Sequence, residues 1–90
     1  MYVLLTTGHF DRRVVKFTPT HPELKKPLAK VLKNLDANPF QPSLRLHPLS
    51  GELEGLYAVS VTFAYRITLS LCVSKKEIVL LDIGSHDEVY

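Results

Sequence analysis

The sequence lacks the features that mark several protein classes. Its 90 residues include no tryptophan and one cysteine, Cys72, so no disulfide can form within the chain. No apolar run approaches the roughly 20 residues that a membrane-spanning helix needs, and residues 1–10 lack the basic start and apolar core of a signal peptide. His and Cys do not occur at zinc-binding spacings. We therefore expect one small cytoplasmic domain, residues 1–90, without a metal or cofactor.

Charge is divided unevenly along the chain, although the net charge is only +2. Residues 1–45 carry eight basic and three acidic side chains, a net charge of +5, whereas residues 46–90 carry three basic and six acidic side chains, a net charge of −3. A basic half can attract nucleic acid or an acidic protein. A solvated helix surface explains the same charges equally well, so both interpretations remain open at this point.

The first half of the chain predicts one strand followed by two amphipathic helices. Residues 2–6 are apolar and β-rich, which predicts a strand, and Thr7 can cap the first helix. Thr18-Pro19 should end that helix, because a proline disfavours helical backbone in the residue before it. Thr20 and Glu23 then fit a capping box for the second helix.

The second helix contains a proline, and the rest of the chain predicts strands. Pro27 predicts a kink or a separate first turn, and Asn38-Pro39 should close this helix. A strand should begin near Leu44, and apolar and polar residues alternate over 57–71, which predicts β structure with a turn near 62–64. The fold class is therefore α+β: a strand, a two-helix hairpin, then a mostly antiparallel sheet of three or four further strands.

Three polar residues of the strand-rich half could share the open face of such a sheet. His47 and His86 are a potential base and acid, and Arg66 is a fixed cation. That set suits cleavage of an RNA phosphodiester, with one His taking the proton of the ribose 2′-OH and the other protonating the 5′-oxygen. Each residue also has an ordinary explanation, as a loop side chain, a surface ion-pair partner or part of a polar tail.

Four motifs at these positions resemble the RelE/ParE superfamily of bacterial toxins. They are Leu-His-Pro-Leu-Ser-Gly at 46–51, Leu-Glu-Gly-Leu-Tyr at 53–57, Tyr-Arg-Ile at 65–67, and Asp-Ile-Gly-Ser-His-Asp-Glu-Val-Tyr at 82–90. The chain is most similar to the RelE, YafQ and YoeB group of ribosome-dependent mRNA interferases. The resemblance implies an endoribonuclease toxin that inhibits translation by cutting mRNA in the ribosomal A site, leaving a 2′,3′-cyclic phosphate and a 5′-hydroxyl.

The resemblance also implies roles for individual residues. His47 matches a position read as the general base, and Arg66 matches an Arg that stabilises phosphate charge. His86 matches the general acid, and Tyr90 matches an aromatic that orients mRNA or stacks on a base. The implied RNA-binding residues, which would face ribosomal RNA, are Lys30, Lys33 and Arg45.

The implied partners are the ribosome with its mRNA and a cognate antitoxin, with DNA reached only through the antitoxin and no membrane. Two residues depart from the pattern: Ser60 stands where many relatives carry Arg or His, and Ala64 stands where some YafQ-like toxins carry an acid. The active face should therefore hold less charge. Two alternatives stay open: a ParE-like toxin that inhibits gyrase without nuclease activity, and a weakly active homologue that acts mainly by binding an antitoxin. ParE-like chains generally lack the His at position 86.

Overall fold

The computed structural model describes residues 1–90 and is built around a five-stranded sheet. The strand order is β1-β5-β4-β3-β2; β1 runs parallel to β5 and all other neighbours are antiparallel. The predicted α+β architecture is confirmed. None of the helices is both long and apolar enough to cross a membrane. The elements are β1 (Val3–Thr6), α1 (Gly8–Thr20), α2 (Lys25–Ala37), β2 (His47–Pro48), β3 (Tyr57–Ser60), β4 (Tyr65–Cys72), β5 (Glu77–Ser85) and α3 (His86–Val89).

The first helix begins as predicted but ends later. Its N-cap is Thr7, whose side chain accepts a hydrogen bond from the backbone N–H of Phe10 at 3.1 Å. The prediction that Thr18-Pro19 ends the helix is wrong, because α1 runs through Pro19 to its last residue. A proline removes a single backbone donor, and the next bonds still form: the N–H of His21 donates to the Phe17 carbonyl at 2.9 Å.

The predicted capping box of Thr20 and Glu23 is also wrong. Because α1 extends to Thr20, its hydroxyl donates back to the Lys16 carbonyl at 3.1 Å and is not used as a cap. A separate 3₁₀ turn, Pro22–Leu24, precedes α2, and no side chain caps it. Pro27 therefore lies in the first turn of α2, where its missing N–H would have had no partner within the helix. The predicted separate first turn is confirmed.

The second half divides into strands nearly as predicted. The turn near 62–64 is confirmed, since β3 ends at Ser60 and β4 begins at Tyr65. The strand predicted to begin near Leu44 is shorter than expected: Leu44 belongs to a 3₁₀ turn and β2 holds only two residues. Pro48 limits the length of β2, because proline has no backbone N–H to donate to a neighbouring strand. Cys72 is half-buried at the end of β4.

The register of the sheet sorts residues onto two faces. Val59 lies opposite Ile67, which lies opposite Ile83, and all three are fully buried on the face that α1 and α2 cover. Because side chains alternate along a strand, even-numbered residues of β3 and the first half of β4 point to the other face. The core cluster is Phe10, Phe17, Leu24, Leu28, Val31, Leu35, Leu44, Val59, Ile67, Leu69, Ile78, Leu80 and Ile83.

The second face is covered only in part, by α3. His47 lies opposite Ala58, which lies opposite Thr68. Ala58 and Thr68 are buried, as is Val89 of α3, yet none of them belongs to the main core cluster. Helix α3 packs against β4 and β5 and so brings the last residues of the sequence onto the face that carries His47.

Candidate active site

Tyr90 is the side chain around which the predicted catalytic residues meet. Its hydroxyl lies 3.1 Å from Nε2 of His47, and its ring packs edge-on against His86 with centroids 4.3 Å apart. Arg66 is close enough for its charge to lower the pKa of the Tyr90 hydroxyl. The structure therefore brings His47, Arg66, His86 and Tyr90 together, while their chemical roles stay predictions.

The hydrogen bonds of His47 determine which of its nitrogens is basic. Nδ1 lies 2.8 Å from the carbonyl oxygen of Arg45. A carbonyl only accepts, so in the neutral ring Nδ1 carries the proton and Nε2 keeps its lone pair. Arg45 has a left-handed backbone, φ 53°, a conformation that non-glycine residues seldom adopt. This bend places the carbonyl where it orients the His47 ring.

Burial and the charge of Arg66 shift the pKa of the Tyr90 hydroxyl in opposite directions. Burial raises the pKa of the Tyr90 hydroxyl above its ordinary value of 10.0, and the nearby Arg66 charge opposes part of that rise. The hydroxyl therefore keeps its proton at neutral pH. It is the donor in the contact with His47, and the lone pair on Nε2 is the acceptor.

Arg66 is fixed at one end of its guanidinium and open at the other. Its Nη1 donates to the carbonyls of Thr62, Phe63 and Tyr65 at 2.8, 2.7 and 3.2 Å. A guanidinium has five N–H donors, and Nη1 supplies two of them. None of the other three donates to a backbone carbonyl; they lie near the Tyr90 hydroxyl and can bind an anion such as a phosphate.

The two departures from the family pattern lie beside Arg66. Ser60 is its direct partner across β3 and β4, on the same face of the sheet. Ala64 is exposed in the turn between those strands. Neither residue adds a charge, and Arg66 is the cation whose charge acts on the Tyr90 hydroxyl. Whether this face holds less charge than in related toxins stays a prediction.

His86 is the first residue of α3 and is presented by a capping box. Ser85 accepts a hydrogen bond from the Glu88 backbone N–H at 3.4 Å, and its own N–H donates to the Glu88 carboxylate at 2.8 Å. The His86 side chain is 66% exposed, with Asp87 3.6 Å from its Nδ1. This exposure leaves His86 free to contact a substrate. This helix was not predicted, although Ser-x-x-Glu at 85–88 is a capping signal that the sequence contains.

Arg13 of α1 reaches the same segment from the far side of the sheet edge. It donates to the Asp82 carboxylate at 3.0 Å, to the Ile83 carbonyl at 2.9 Å, and reaches Glu88 at 3.5 Å. The Ser85 backbone N–H, more than Arg13, lowers the pKa of Glu88 below its ordinary value. The sequence analysis did not identify Arg13, because no local pattern links it to residues about 70 positions away.

The predicted RNA-binding residues divide into two groups. Lys30 lines a cleft of about 460 Å³ between α2 and the end of β3, and Arg45 lines an adjoining cleft of about 220 Å³. Both clefts are bounded by Ser43 and residues 60–62. Lys33 is exposed on α2 and borders neither cleft. A larger cleft of about 630 Å³ opens beside Tyr90, between α3 and the loop that follows His47.

Known structures with the same fold were found, although no family model and no curated protein sequence matches the chain. YafQ from Escherichia coli superposes with a TM-score of 0.81 at 17% identity, covering 100% of this chain and 99% of that one. A metal-bound toxin from Helicobacter pylori gives a TM-score of 0.81 at 25% identity, with both chains covered completely. In the Escherichia coli DinJ–YafQ complex the TM-score is 0.72 at 20% identity, covering 100% and 99%.

The metal of the Helicobacter pylori toxin has no evident counterpart among the side chains of this protein. No group of three or more His, Cys, Asp or Glu residues is arranged so that it could hold a metal ion. His47 and His86 both contact Tyr90, yet no carboxylate completes a set of ligands with them. The residues present therefore do not fit a metal site.

Proposed function

The chain has the fold of the RelE/YafQ-like toxin superfamily, and on that premise we propose that it is the toxin of a type II toxin–antitoxin system. Its activity is that of a ribosome-dependent mRNA endoribonuclease that needs no metal. The observation that supports this proposal best is the 3.1 Å contact between His47 Nε2 and the Tyr90 hydroxyl, with His86 and Arg66 beside it. A base, an acid and an anion-binding cation are thus within reach of one nucleotide.

The reaction begins at His47. Nε2 takes the proton of a ribose 2′-OH, and the 2′-oxygen forms a bond to the adjacent phosphorus. The bond from phosphorus to the 5′-oxygen breaks, and protonated His86 gives its proton to that oxygen. The products are a 2′,3′-cyclic phosphate and a 5′-hydroxyl, and the proton count balances between the two histidines. The free N–H groups of Arg66 bind the phosphate oxygens as charge develops on them.

Tyr90 occupies the position that the reacting hydroxyl needs. Its own hydroxyl donates to His47 Nε2, so a 2′-OH must displace that contact to reach the base. The Tyr90 ring is 40% exposed and can stack on a nucleobase after the displacement, since aromatic rings stack on any base. Tyr90 thus holds the site closed before mRNA arrives and orients the mRNA afterwards.

Lys30 and Arg45 extend the site toward a larger nucleic acid. They border adjoining clefts that end at the turn whose carbonyls hold Arg66. Basic side chains along such a path bind phosphates independently of sequence, as contact with ribosomal RNA requires. The antitoxin is the other partner, by analogy with YafQ, which is found in a complex with DinJ. DNA contact belongs to the antitoxin.

The test is primer extension on a reporter mRNA in a purified translation system, with and without ribosomes. We expect cuts at A-site codons that need ribosomes and that decrease by about 10²–10⁴-fold in His86→Ala. The matched control is His21→Gln, which changes a histidine packed between Phe17 and Tyr65 and should cut normally per folded molecule. The absence of cuts under any condition would contradict the proposal, and a gyrase supercoiling assay would follow.

A further inference from the structure

Helix α3 cannot hold its shape without help from the rest of the protein. It has four residues, and a helix so short is unstable alone. One anchor is Val89, which is 7% exposed on the sheet. The other is the carboxylate of Glu88, which accepts from the Ser85 backbone N–H and lies 3.5 Å from Arg13. The positions of His86 and Tyr90 depend on these anchors, because His86 is the first residue of α3 and Tyr90 follows its last residue.

Arg13 holds the segment that leads into α3. Strand β1 pairs only with residues 77–80, so β5 continues beyond it without a strand on that side. There the Ile83 carbonyl accepts from Arg13 Nη2 at 2.9 Å and from Nε at 3.2 Å. Asp82 accepts from the same Nε at 3.0 Å and also from the backbone N–H of Ile83 at 2.8 Å. One guanidinium thus ties α1 to the end of β5 and to α3.

Gly84 makes this approach possible. A Cβ at that position would lie 2.5 Å from Nη2 of Arg13 and 3.1 Å from Cβ of Glu88. The first distance is shorter than a side-chain carbon tolerates, so with any other residue the Arg13 guanidinium would have to move. At the second distance Glu88 would also have to shift by a few tenths of an ångström. The close approach of Arg13 to the end of β5 therefore depends on the absence of a side chain at Gly84.

We propose that Arg13 is a positioning residue: it holds residues 82–88 so that His86 and Tyr90 face His47. The kinetic consequence rests on the proposed function, whereas the geometric consequence does not. Arg13 lies at the edge of the protein, with a side chain 31% exposed and outside the hydrophobic core. Its loss should therefore leave the fold intact and release α3.

The experiment compares Arg13→Gln, Arg13→Lys and the control Arg12→Gln in the full chain. Arg12 is the neighbouring exposed arginine of α1 and makes no hydrogen bond or ion pair, so its variant removes the same charge without the contacts. NMR detects the nuclear Overhauser effects from the Tyr90 ring to the rings of His47 and His86. Ribosome-dependent cleavage supplies kcat and KM, and thermal unfolding reports the stability of the fold.

In Arg13→Gln we expect the Tyr90 Overhauser effects to disappear and kcat to fall about 10–100-fold, because small displacements of reacting groups are costly. KM should stay within about twofold, since binding of the ribosome is not altered. The kcat of Arg13→Lys should lie between those of Arg13→Gln and the unchanged protein, because an ammonium cannot bind Asp82, Ile83 and Glu88 together as the planar guanidinium does. Arg12→Gln should match the unchanged protein in every measurement.

Preserved Overhauser effects in Arg13→Gln would overturn the proposal, as would an activity loss that only follows the folded fraction. If Arg13→Gln does not fold, Arg13→Lys decides the question by the same two criteria. If the unchanged protein gives the Overhauser effects but never cuts mRNA, the proposed function fails while the positioning role is still decided by NMR.

Discussion

Two supports converge on Tyr90, and they are made of different chemical groups. On one side His47 is oriented by a backbone carbonyl, that of Arg45, at 2.8 Å. On the other side His86 and Tyr90 depend on charged side chains, with Arg13 binding Asp82 and reaching Glu88. A backbone support survives changes of side chain and of pH, whereas an ion-pair support is lost when either charge is removed. The two halves of the site should therefore fail under different conditions.

Among the variants that test these two supports, removal of the Tyr90 ring, where they meet, should have the largest effect. Tyr90→Ala eliminates both the contact with His47 and base stacking, which is worth about 1–3 kcal/mol per base, so cleavage should fall roughly 5- to 150-fold. Tyr90→Phe keeps the ring and removes only the hydroxyl from Nε2, so its rate should stay within about threefold. Single-turnover cleavage on programmed ribosomes measures both. Equal losses in the two variants would show that the hydroxyl, and not the ring, is needed.

Gly84→Ala should disrupt the support that Arg13 gives to α3 and leave the support that the Arg45 carbonyl gives to His47 unchanged. The new methyl group displaces Arg13 or α3, and an overpacked site of this kind typically loses about 1–3 kcal/mol of unfolding free energy. Denaturant unfolding gives that loss, and the His47 ring resonances should keep their positions apart from the effect of Tyr90. Gly8→Ala is the control, because the nearest atom to its new Cβ is the end of the Arg12 side chain at 3.2 Å, and that side chain, unlike Arg13, makes no hydrogen bond or ion pair that its movement would break. An unaltered α3 in Gly84→Ala would contradict the close approach.

Low pH should weaken the charged support that Arg13, Asp82 and Glu88 form. The pKa of Glu88 is lowered below its ordinary value of 4.5, mainly by the Ser85 backbone N–H and further by Arg13. A lowered pKa in the folded state means that the stabilisation is present above the unfolded pKa and is lost as the pH falls through the folded pKa. The amide of Tyr90, which bonds to the His86 carbonyl, should therefore lose its protection against exchange, relative to an unstructured peptide at the same pH, below about pH 4.5. Glu88→Gln should lack this transition, and its persistence there would assign the effect to another carboxylate.

The smallest effect is expected from a change at Arg45, whose backbone carbonyl orients His47. Arg45→Gly removes a predicted RNA-binding side chain but keeps the carbonyl that orients His47. Glycine adopts φ 53° without the steric cost of other residues, so the unfolding free energy should stay the same or rise by up to about 1 kcal/mol. Cleavage should weaken modestly and depend slightly less steeply on salt concentration, because one positive charge that can bind phosphate is lost. A displaced His47 ring in the NMR spectrum would mean that the Arg45 side chain also supports the site.

The parts of the molecule that were predictable from sequence are those with a local pattern. Alternation over 57–71 gave β3, β4 and the turn between them, and the motif residues His47, Arg66, His86 and Tyr90 proved to be neighbours. The capping pattern that was used, Thr20 with Glu23, was wrong because α1 continues through Pro19 and takes the Thr20 hydroxyl for itself.

The parts that were missed depend on contacts between distant residues. Arg13 and Asp82 are 69 positions apart, and no periodicity or turn signal connects them. The left-handed backbone of Arg45 is equally invisible, because arginine has no preference for that conformation and the bend comes from the loop closing onto β3. Sequence patterns therefore identified which side chains meet at the candidate site but not what holds them in place.

The position of β5 has a consequence for how the protein is made. This last strand lies between β1 and β4, so β1 has no partner in the sheet until β5 has been synthesised. The slowest contacts to form are those that join the two ends of a chain, and here they join β1 and α1 to β5. An incomplete chain released early from the ribosome would hold neither a finished sheet nor His86 and Tyr90. The proposed site therefore forms only after residues 77–90 have been synthesised.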